Sequence, residues 1–292
     1  MRIINPYQDL QNGSWLRGNL HTHTNRSDGS RDPQAVVADY AARGYDFLAI
    51  SDHDIQSTPE DYASIRAGTM TLIPANEITA NGPHLLHVGG TTRALPYADR
   101  QRAIDDALAS GGIVIVNHPN WGDDFGHCPI DLMRSWQGFI GIELFNGICS
   151  WLTGSPYGSD KWDMLLSTGR RVWGFAHDDH HGFQKDIARG WNMVYAKSKS
   201  IHDILDALQA GRFYASTGVT IRSITVLENR IRVVTDNATR VAAFKTHGMR
   251  FAEADDRSLE IVVPDDASYV RFDCFGSGET RAWTQPFFIE RS

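Results

Sequence analysis

At 292 residues, with 41% hydrophobic and 22% charged residues, the chain has the balance of a globular protein with an ample core, in one large domain or a large and a small one. A net charge of −7 argues against a generic polyanion binder, which needs clustered Lys and Arg, but leaves room for a small phosphorylated substrate. Cys128, Cys149 and Cys274 form no C-x-x-C pair and read as buried or idle thiols in a reducing compartment. MRIINPYQDL has no apolar leader and no stretch is apolar for long enough to span a bilayer, so a cytoplasmic location without membrane contact is expected.

In chain order, WLRGNL (15–20) is the first strand candidate at the site end. DPQAVVADYAARG (32–44) spells a helix, with Asp32 as N-cap, Pro33 at N1, apolar residues at helical spacing and Gly44 as stop. DFLAI (46–50) and TLIPANE (71–77) read as strands. YADRQRAIDDALASGG (97–112) is a helix ending in glycines, and IVIV (113–116) a buried strand. GFIGIELF (138–145), RVWGFA (171–176) and WNMVYA (191–196) are further strands, and HDILDALQAGR (202–212) a closing helix. Repeated helix-then-strand units predict a parallel α/β fold, in a number that suits a closed or nearly closed barrel. After about Gly218 the pattern changes. ITVLE, RIRVVT, RVAAFKT, LEIVVP and YVRFDCF are split by Asn, Asp and Gly turns, which predicts a barrel over 1–217 and a small antiparallel β unit over 218–292.

The polar chemistry sits at strand ends, which share one face in α/β barrels. WLRGNL runs into His21 and His23, two apart and therefore on one side of an extended segment. DFLAI ends in Ser51-Asp52-His53-Asp54, TLIPANE in Glu77, and IVIV in Asn117-His118-Pro119. GIELF carries Glu143 and leads to Asn146, and RVWGFA ends in His177-Asp178-Asp179-His180-His181. Ten of the twelve histidines lie between His21 and His181, which puts any metal site in the first domain. Imidazole and carboxylate ligands suit Zn, Mn or Fe, and eight or nine of them are too many for one tetrahedral ion. Two or three divalent ions are the better reading, with Glu77 as the natural bridge.

NLHTHTNRSDG, FLAISDHD, ANEIT, HLLHVGG, VNHPN and AHDDHH, in this order, resemble the polymerase and histidinol phosphatase (PHP) domain of the amidohydrolase superfamily over roughly residues 15–217. The resemblance implies a distorted (β/α)7 TIM-like barrel with a two- or three-metal centre. It implies that His21, His23, Glu77 and Asp179 hold a first metal, that Glu77 bridges to a second held by His84 and His118, and that Asp28, His53 and His181 bind a third. By the family's pattern His84 is preferred to His87, and Asp179 with His181 to Asp178 with His180. AGRFYASTG and the β-rich tail also resemble a bacterial branch that includes carbaryl-hydrolase-like proteins.

The reaction expected is hydrolysis of a small phosphoester, such as a nucleotide or sugar phosphate, by attack of a metal-bound hydroxide. A proton donor for the leaving oxygen is expected among Asp52, His177 and His180. Asp52 also suits a role in orienting His53 or a neighbouring ligand. Arg26, Trp121, Glu143, Asn146 and Arg189 are candidate substrate contacts, with Lys185 a further cation near the motifs. An ordinary structural role competes with each: a turn for Asp28, a solvated loop for Arg26, Lys185, Arg189 and His127, and the core for most tryptophans, Trp151 included. The alternative reaction is cleavage of a carbamate or carboxylic ester at the same centre. An aromatic-lined pocket without Arg near the metals would favour it, and two Arg or Lys converging on the metals would favour phosphate. A non-catalytic reading, with the C-terminal unit binding a partner, needs a broken ligand set, and no break is visible. That unit is expected to pack on the barrel or to mediate oligomerisation.

Overall fold

The computed structural model describes residues 1–8, 10–183 and 185–291. The first part of the chain runs β1 (Arg2–Ile4), β2 (Ser14–Asn19), α1 (Pro33–Ala42), β3 (Phe47–Ile50), α2 (Pro59–Tyr62), β4 (Thr71–Ile78) and β5 (Leu85–Val88). It continues through α3 (Arg100–Ala109), β6 (Ile113–Val116), α4 (Ile130–Ser135), β7 (Gly141–Asn146), α5 (Ser159–Leu166) and β8 (Trp173–His177). Next come β9 (Trp191–Ala196), α6 (Ile201–Gln209) and β10 (Phe213–Ser216). The remainder is β11 (Ile221–Leu227), β12 (Arg230–Thr235), β13 (Arg240–Lys245), β14 (Met249–Ala254), β15 (Ser258–Val262), β16 (Tyr269–Phe275), β17 (Arg281–Thr284) and β18 (Phe287–Glu290).

Local chemistry sets the early elements as the sequence predicts. The Asp32 carboxylate accepts from the Ala35 N–H to start α1, and Gly44, at φ 74°, lets the chain leave it. Strands β2, β3 and β4 are parallel neighbours, as are β6, β7 and β8. Alternation divides each strand between two cores. Phe47, Ala49, Ile73, Ala75, Ile113 and Ile115 fill the space enclosed by the sheet, whereas Leu48 and Ile50 pack outward on Val36, Val37 and Tyr40 of α1.

The fully parallel pattern expected from sequence does not hold. β5 lies between β4 and β6 and is antiparallel to both, and β9 is antiparallel to β2. The link from β4 to β5 is only residues 79–84, too short for the crossover that a parallel neighbour needs.

Among the described residues no ladder joins β8 back to β2 or β9. The two sides meet instead through single bonds, His23 N–H to the His180 carbonyl (2.8 Å) and Asp179 N–H to the His21 carbonyl (3.0 Å). Side-chain amides cover the β8 edge. Asn192 of β9 pairs with both backbone groups of Ala176 (3.2 and 3.0 Å), and Gln285 pairs with both of Gly174 (2.8 and 2.8 Å).

The C-terminal strands continue the same sheet, because β10 pairs with β9 on one edge and β17 on the other. A separate three-stranded sheet, β11-β12-β15, packs its inward residues Ile221, Ile231, Val233 and Ile261 against Val241, Val270, Phe272 and Phe287. A buried ion group ties this unit to α5, where Arg271 clasps Asp163 (2.6 and 2.8 Å) and also pairs with Asp273. Among the described residues no helix is long and apolar enough to cross a membrane.

Candidate metal centre

One end of the sheet gathers the imidazoles and carboxylates. His21 and His23 follow β2, His53 follows β3, Glu77 is the penultimate residue of β4, His118 follows β6, and Asp179 and His181 follow β8. His84 precedes its strand. Because β5 is antiparallel to its neighbours, its first end lies at their carboxyl ends, and Leu85 pairs with Ile78 beside Glu77. Gly29 gives the β2 loop room to turn back, since a Cβ there would sit 2.8 Å from the His23 backbone. His118 and Asp179 take positive φ (22° and 55°), backbone strain of the kind that collects at functional sites.

Several groups of ligand atoms each gather within 4.8 Å, among them those of His21, His23 and Asp179, those of His21, Glu77 and His118, those of His23, Asp28, His53 and His181, and those of His84, His118 and His127. In the first group His21 Nε2 is 3.2 Å from Asp179 Oδ1 and 3.3 Å from Glu77 Oε1. His23 Nε2 lies 2.9 Å from Asp179 Oδ1 and 3.6 Å from Glu77 Oε2. His21 Nε2, His23 Nε2, Glu77 Oε2 and Asp179 Oδ1 are all buried without a hydrogen-bond partner, so even the short contact is out of line for one. Ligand atoms bonded to one tetrahedral ion at about 2.0–2.1 Å stand roughly 3.3 Å apart. The spacing and the orphaned lone pairs therefore fit a cation.

Glu77 Oε1 also lies 3.2 Å from both His84 Nδ1 and His118 Nε2, which fits a carboxylate shared between two positions. Asp28 reaches His53 Nε2 at 3.4 Å and His181 Nε2 at 3.5 Å.

Electrostatics agree with this donor set. Burial works against the charge of Glu77 and Asp179, yet His21 and the neighbouring imidazoles hold both carboxyls well below their ordinary range. Burial likewise opposes charge on His21, His53 and His181, but the facing carboxylates win. His21 is raised well above its ordinary value, His53 is pushed up to about 10 and His181 to about 9. His23, sandwiched between the rings of His53 and His181 at 4.3 Å, is lowered by its burial.

The ambiguous neighbours separate cleanly. Asp178 points the other way and accepts from Tyr40 Oη (2.8 Å) and the N–H groups of Ala188, Arg189 and Gly190 (2.8, 2.6 and 2.8 Å). His180 pairs with Asp186, and His87 is held by Asn76 and the Gly111 carbonyl. Asp179, His181 and His84 face the cluster.

A cavity of about 320 Å³ opens on the cluster, walled by Trp121, Ile148, Cys149, Leu152 and Phe183 besides Asp28, His53, His84, His118, Asp179 and His181. Trp121, a candidate substrate contact, stands at the cavity wall. Other expected substrate contacts do not. Glu143 is buried and sits 2.7 Å from His21 Nδ1 and 2.8 Å from His177 Nδ1, while Asn146 bonds to Glu143 (2.9 Å) and Asp179 (3.1 Å). Arg26 turns aside to Asp61 (3.4 Å), and Arg189 lines a neighbouring hollow.

The three expected proton donors are also off the cavity. Asp52 accepts from Thr24 N–H, Thr24 Oγ1 and Ser27 Oγ, each at 2.7 Å, and so shapes the β2 loop. His177 is buried on Glu143, and His180 on Asp186.

Two loop residues read differently from expectation. His127 is not solvated, since its Nε2 accepts from the His84 N–H (3.0 Å) and its ring lies 4.7 Å from His118 and 4.9 Å from Trp121. Its burial and those imidazoles push it down to about 2. Trp151 is exposed rather than core, with the Lys185 ammonium 4.4 Å above its ring. Leu152 and Phe183 were missed. Their signal is an apolar side chain in the segment just after a site-end strand, β7 for Leu152 and β8 for Phe183. The three cysteines are buried and free, as expected.

No protein-family model and no curated protein sequence matches the chain. Among solved structures, it is similar to a two-domain protein containing a predicted PHP-like metal-dependent phosphoesterase from Bacteroides vulgatus. The two share 19% identity over 97% of this chain and 89% of that one, with a TM-score of 0.57. It also matches an amidohydrolase from Chromobacterium violaceum at 15% identity, over 58% of this chain and 89% of that one, with a TM-score of 0.42. The first match is a likeness of fold, and it takes in the C-terminal strands as well as the sheet that carries the site.

Proposed function

We propose that the protein is a metal-dependent hydrolase of a small phosphoester. The observation that carries the reading is the set of buried, partnerless lone pairs on His21, His23, Glu77 and Asp179 beside a substrate-sized cavity. His21, His23, Glu77 and Asp179 would hold one ion, Glu77, His84 and His118 a second, and Asp28, His53 and His181 a third. Such ions, Zn, Mn or Fe, supply Lewis acidity that makes water a nucleophile near neutral pH and offsets charge on phosphoryl oxygens.

The chain's own residues do the rest. A carboxylate only accepts, so Glu143 fixes the proton of His21 on Nδ1 and aims its Nε2 lone pair at the first position. Asn117 Nδ2 donates to Glu77 Oε1 (2.7 Å) and holds the shared carboxylate in place. Trp121, Leu152 and Phe183 line the cavity and offer apolar surface to the organic part of the ester. The phosphoester choice is supported by ligands for several cations along one wall, and by the phosphoesterase named in the similarly folded Bacteroides protein.

A second reading, cleavage of a carboxylic ester or carbamate in the manner of carbaryl-hydrolase-like proteins, is favoured by one feature: among the described residues that line the cavity there is no Arg or Lys. The deciding experiment is steady-state hydrolysis by the Mn-loaded protein of phosphomonoesters, a phosphodiester, an aryl ester and an aryl carbamate. The control is the His21→Ala/His118→Ala double variant. Metal-dependent phosphate release, lost in the control, supports the first reading. Ester or carbamate turnover without phosphate release replaces it with the second.

A further inference from the structure

A larger hollow, of about 550 Å³, adjoins the cavity at the cluster and shares Cys149 and Leu152 with it. Its own walls include Tyr157, Arg189, Thr217, Glu279 and Thr280. Both sides of the partition hang from the strand end that carries Asp179. Gly147 N–H donates to the His177 carbonyl (2.9 Å) and Ile148 N–H to the Asp178 carbonyl (3.0 Å). Gly147 is required there, since a Cβ would meet the Asp178 carbonyl oxygen at 2.7 Å. On the other side, the Asp178 carboxylate gathers the N–H groups of residues 188–190, which sets Arg189 at a fixed place relative to Asp179.

The far wall belongs to the C-terminal unit. Its turn at 276–280 is closed by Gly276 N–H to the Thr280 carbonyl (2.9 Å) and Thr280 Oγ1 to the Ser277 carbonyl (2.8 Å). Thr217 N–H donates to the Arg281 carbonyl (2.8 Å), and the Arg281 guanidinium is stacked 4.6 Å from the Tyr157 ring. Arg189 and Glu279 are exposed, and neither has an ion pair among the described residues. The hollow thus offers one guanidinium without an ion pair, a carboxylate on the far wall and two threonines, next to a cavity whose described lining holds no Arg or Lys.

We propose that this hollow is the distal half of the substrate site, where Arg189 binds a carboxylate at the far end of an ester whose scissile group lies at the ligand cluster. The proposal rests on the hydrolase reading and narrows its substrate class. A guanidinium fork matches a carboxylate in two hydrogen bonds. With a single Arg and a Glu lining the same hollow, a singly charged tail fits better than a phosphate dianion. The C-terminal unit contributes to specificity by supplying Glu279 and Thr280.

The test compares phosphate monoesters of ω-hydroxy acids with alkyl phosphates of matching length, across a series of chain lengths, using the full-length Mn-loaded protein. At the length that spans the partition, kcat/KM for the carboxylate-tailed ester should exceed that of its methyl-tailed partner by about tenfold, the scale of one charge-assisted pair. Arg189→Ala should bring the ratio near unity, Arg189→Lys should keep part of it, and Glu279→Gln should raise it. A ratio identical in wild type and Arg189→Ala at every length overturns the proposal. If no phosphate ester is hydrolysed, the phosphoester reading fails by itself, and calorimetric titration with the same intact esters decides the subsite. Tighter, Arg189-dependent binding of the carboxylate-tailed member supports it, and equal binding overturns it.

Discussion

Glu143 shows how one buried carboxylate can govern a site it never faces. It takes the Nδ1 protons of His21 and His177 on one oxygen and the His118 N–H on the other, at 2.6 Å, so two ligand-bearing segments lean on it. Glu143→Gln keeps the volume but offers an amide where a charged acceptor stood. Metal affinity should fall by roughly 10- to 100-fold with the fold retained, and metal titration beside circular dichroism checks this. An unchanged affinity would remove Glu143 from the site.

The cavity itself leads to a second expectation. Among the described residues, every titratable side chain lining it is a proposed ligand except Cys149, whose thiol burial pushes further up. With no free acid to protonate the departing oxygen, rates across a series of aryl phosphates should fall steeply as the leaving-group pKa rises, and Cys149→Ser should leave that slope unchanged. A flat series would reveal a proton donor. The ligand-bearing strand ends were legible in sequence because a histidine or acid after an apolar run needs a reason. Asp52, His177 and His180 were misread because proximity to a motif does not say which way a side chain points. Asp178 and His180 alternate with Asp179 and His181, and so meet Tyr40 and Asp186 on the opposite side.

Among the elements, many strands and the first helix were legible through apolar runs and caps, but β5, β10 and the last two strands were not, nor were strand directions and edges. Nothing in the apolar run of β5 says that it is antiparallel; the short link before it does. Nor does any periodic pattern foretell that a glutamine from beyond β17 acts as a strand partner for β8. Gln285 is fully buried and satisfies both backbone groups of Gly174. Gln285→Ala should strand both groups, at about 1–3 kcal/mol each, and lower the melting temperature by several degrees. Thermal unfolding measures this, and an unchanged melting temperature would mean that water replaces the amide without loss.

Across the whole molecule, protons and metal ions compete for the same lone pairs. His53 and His181 are raised to about 10 and about 9, so their contribution to the metal-free fold is present below about pH 6.5 and is lost as pH climbs through those values. Glu77 and Asp179 are depressed, so their contribution holds above the ordinary carboxylate range and is lost on acidification. The chelator-treated protein should therefore melt at progressively lower temperature from about pH 6.5 towards 10. Stabilisation by added Zn or Mn should grow over the same interval, because ligands bind metal only when deprotonated. Melting curves with and without metal across pH test both slopes, and a metal effect independent of pH would show that these imidazoles are not ligands.

The amide cover on β8 also has a consequence in time. Gln285 is synthesised 111 residues after the glycine it pairs with. At about 5–20 residues per second, the ribosome leaves that edge without its partner for roughly 5–20 s. Throughout that interval the nascent chain carries a bare strand rim, open to pairing with a neighbouring copy on the same message. Slow translation between β8 and Gln285 should thus lower the yield of active protein, even though every ligand residue has already emerged.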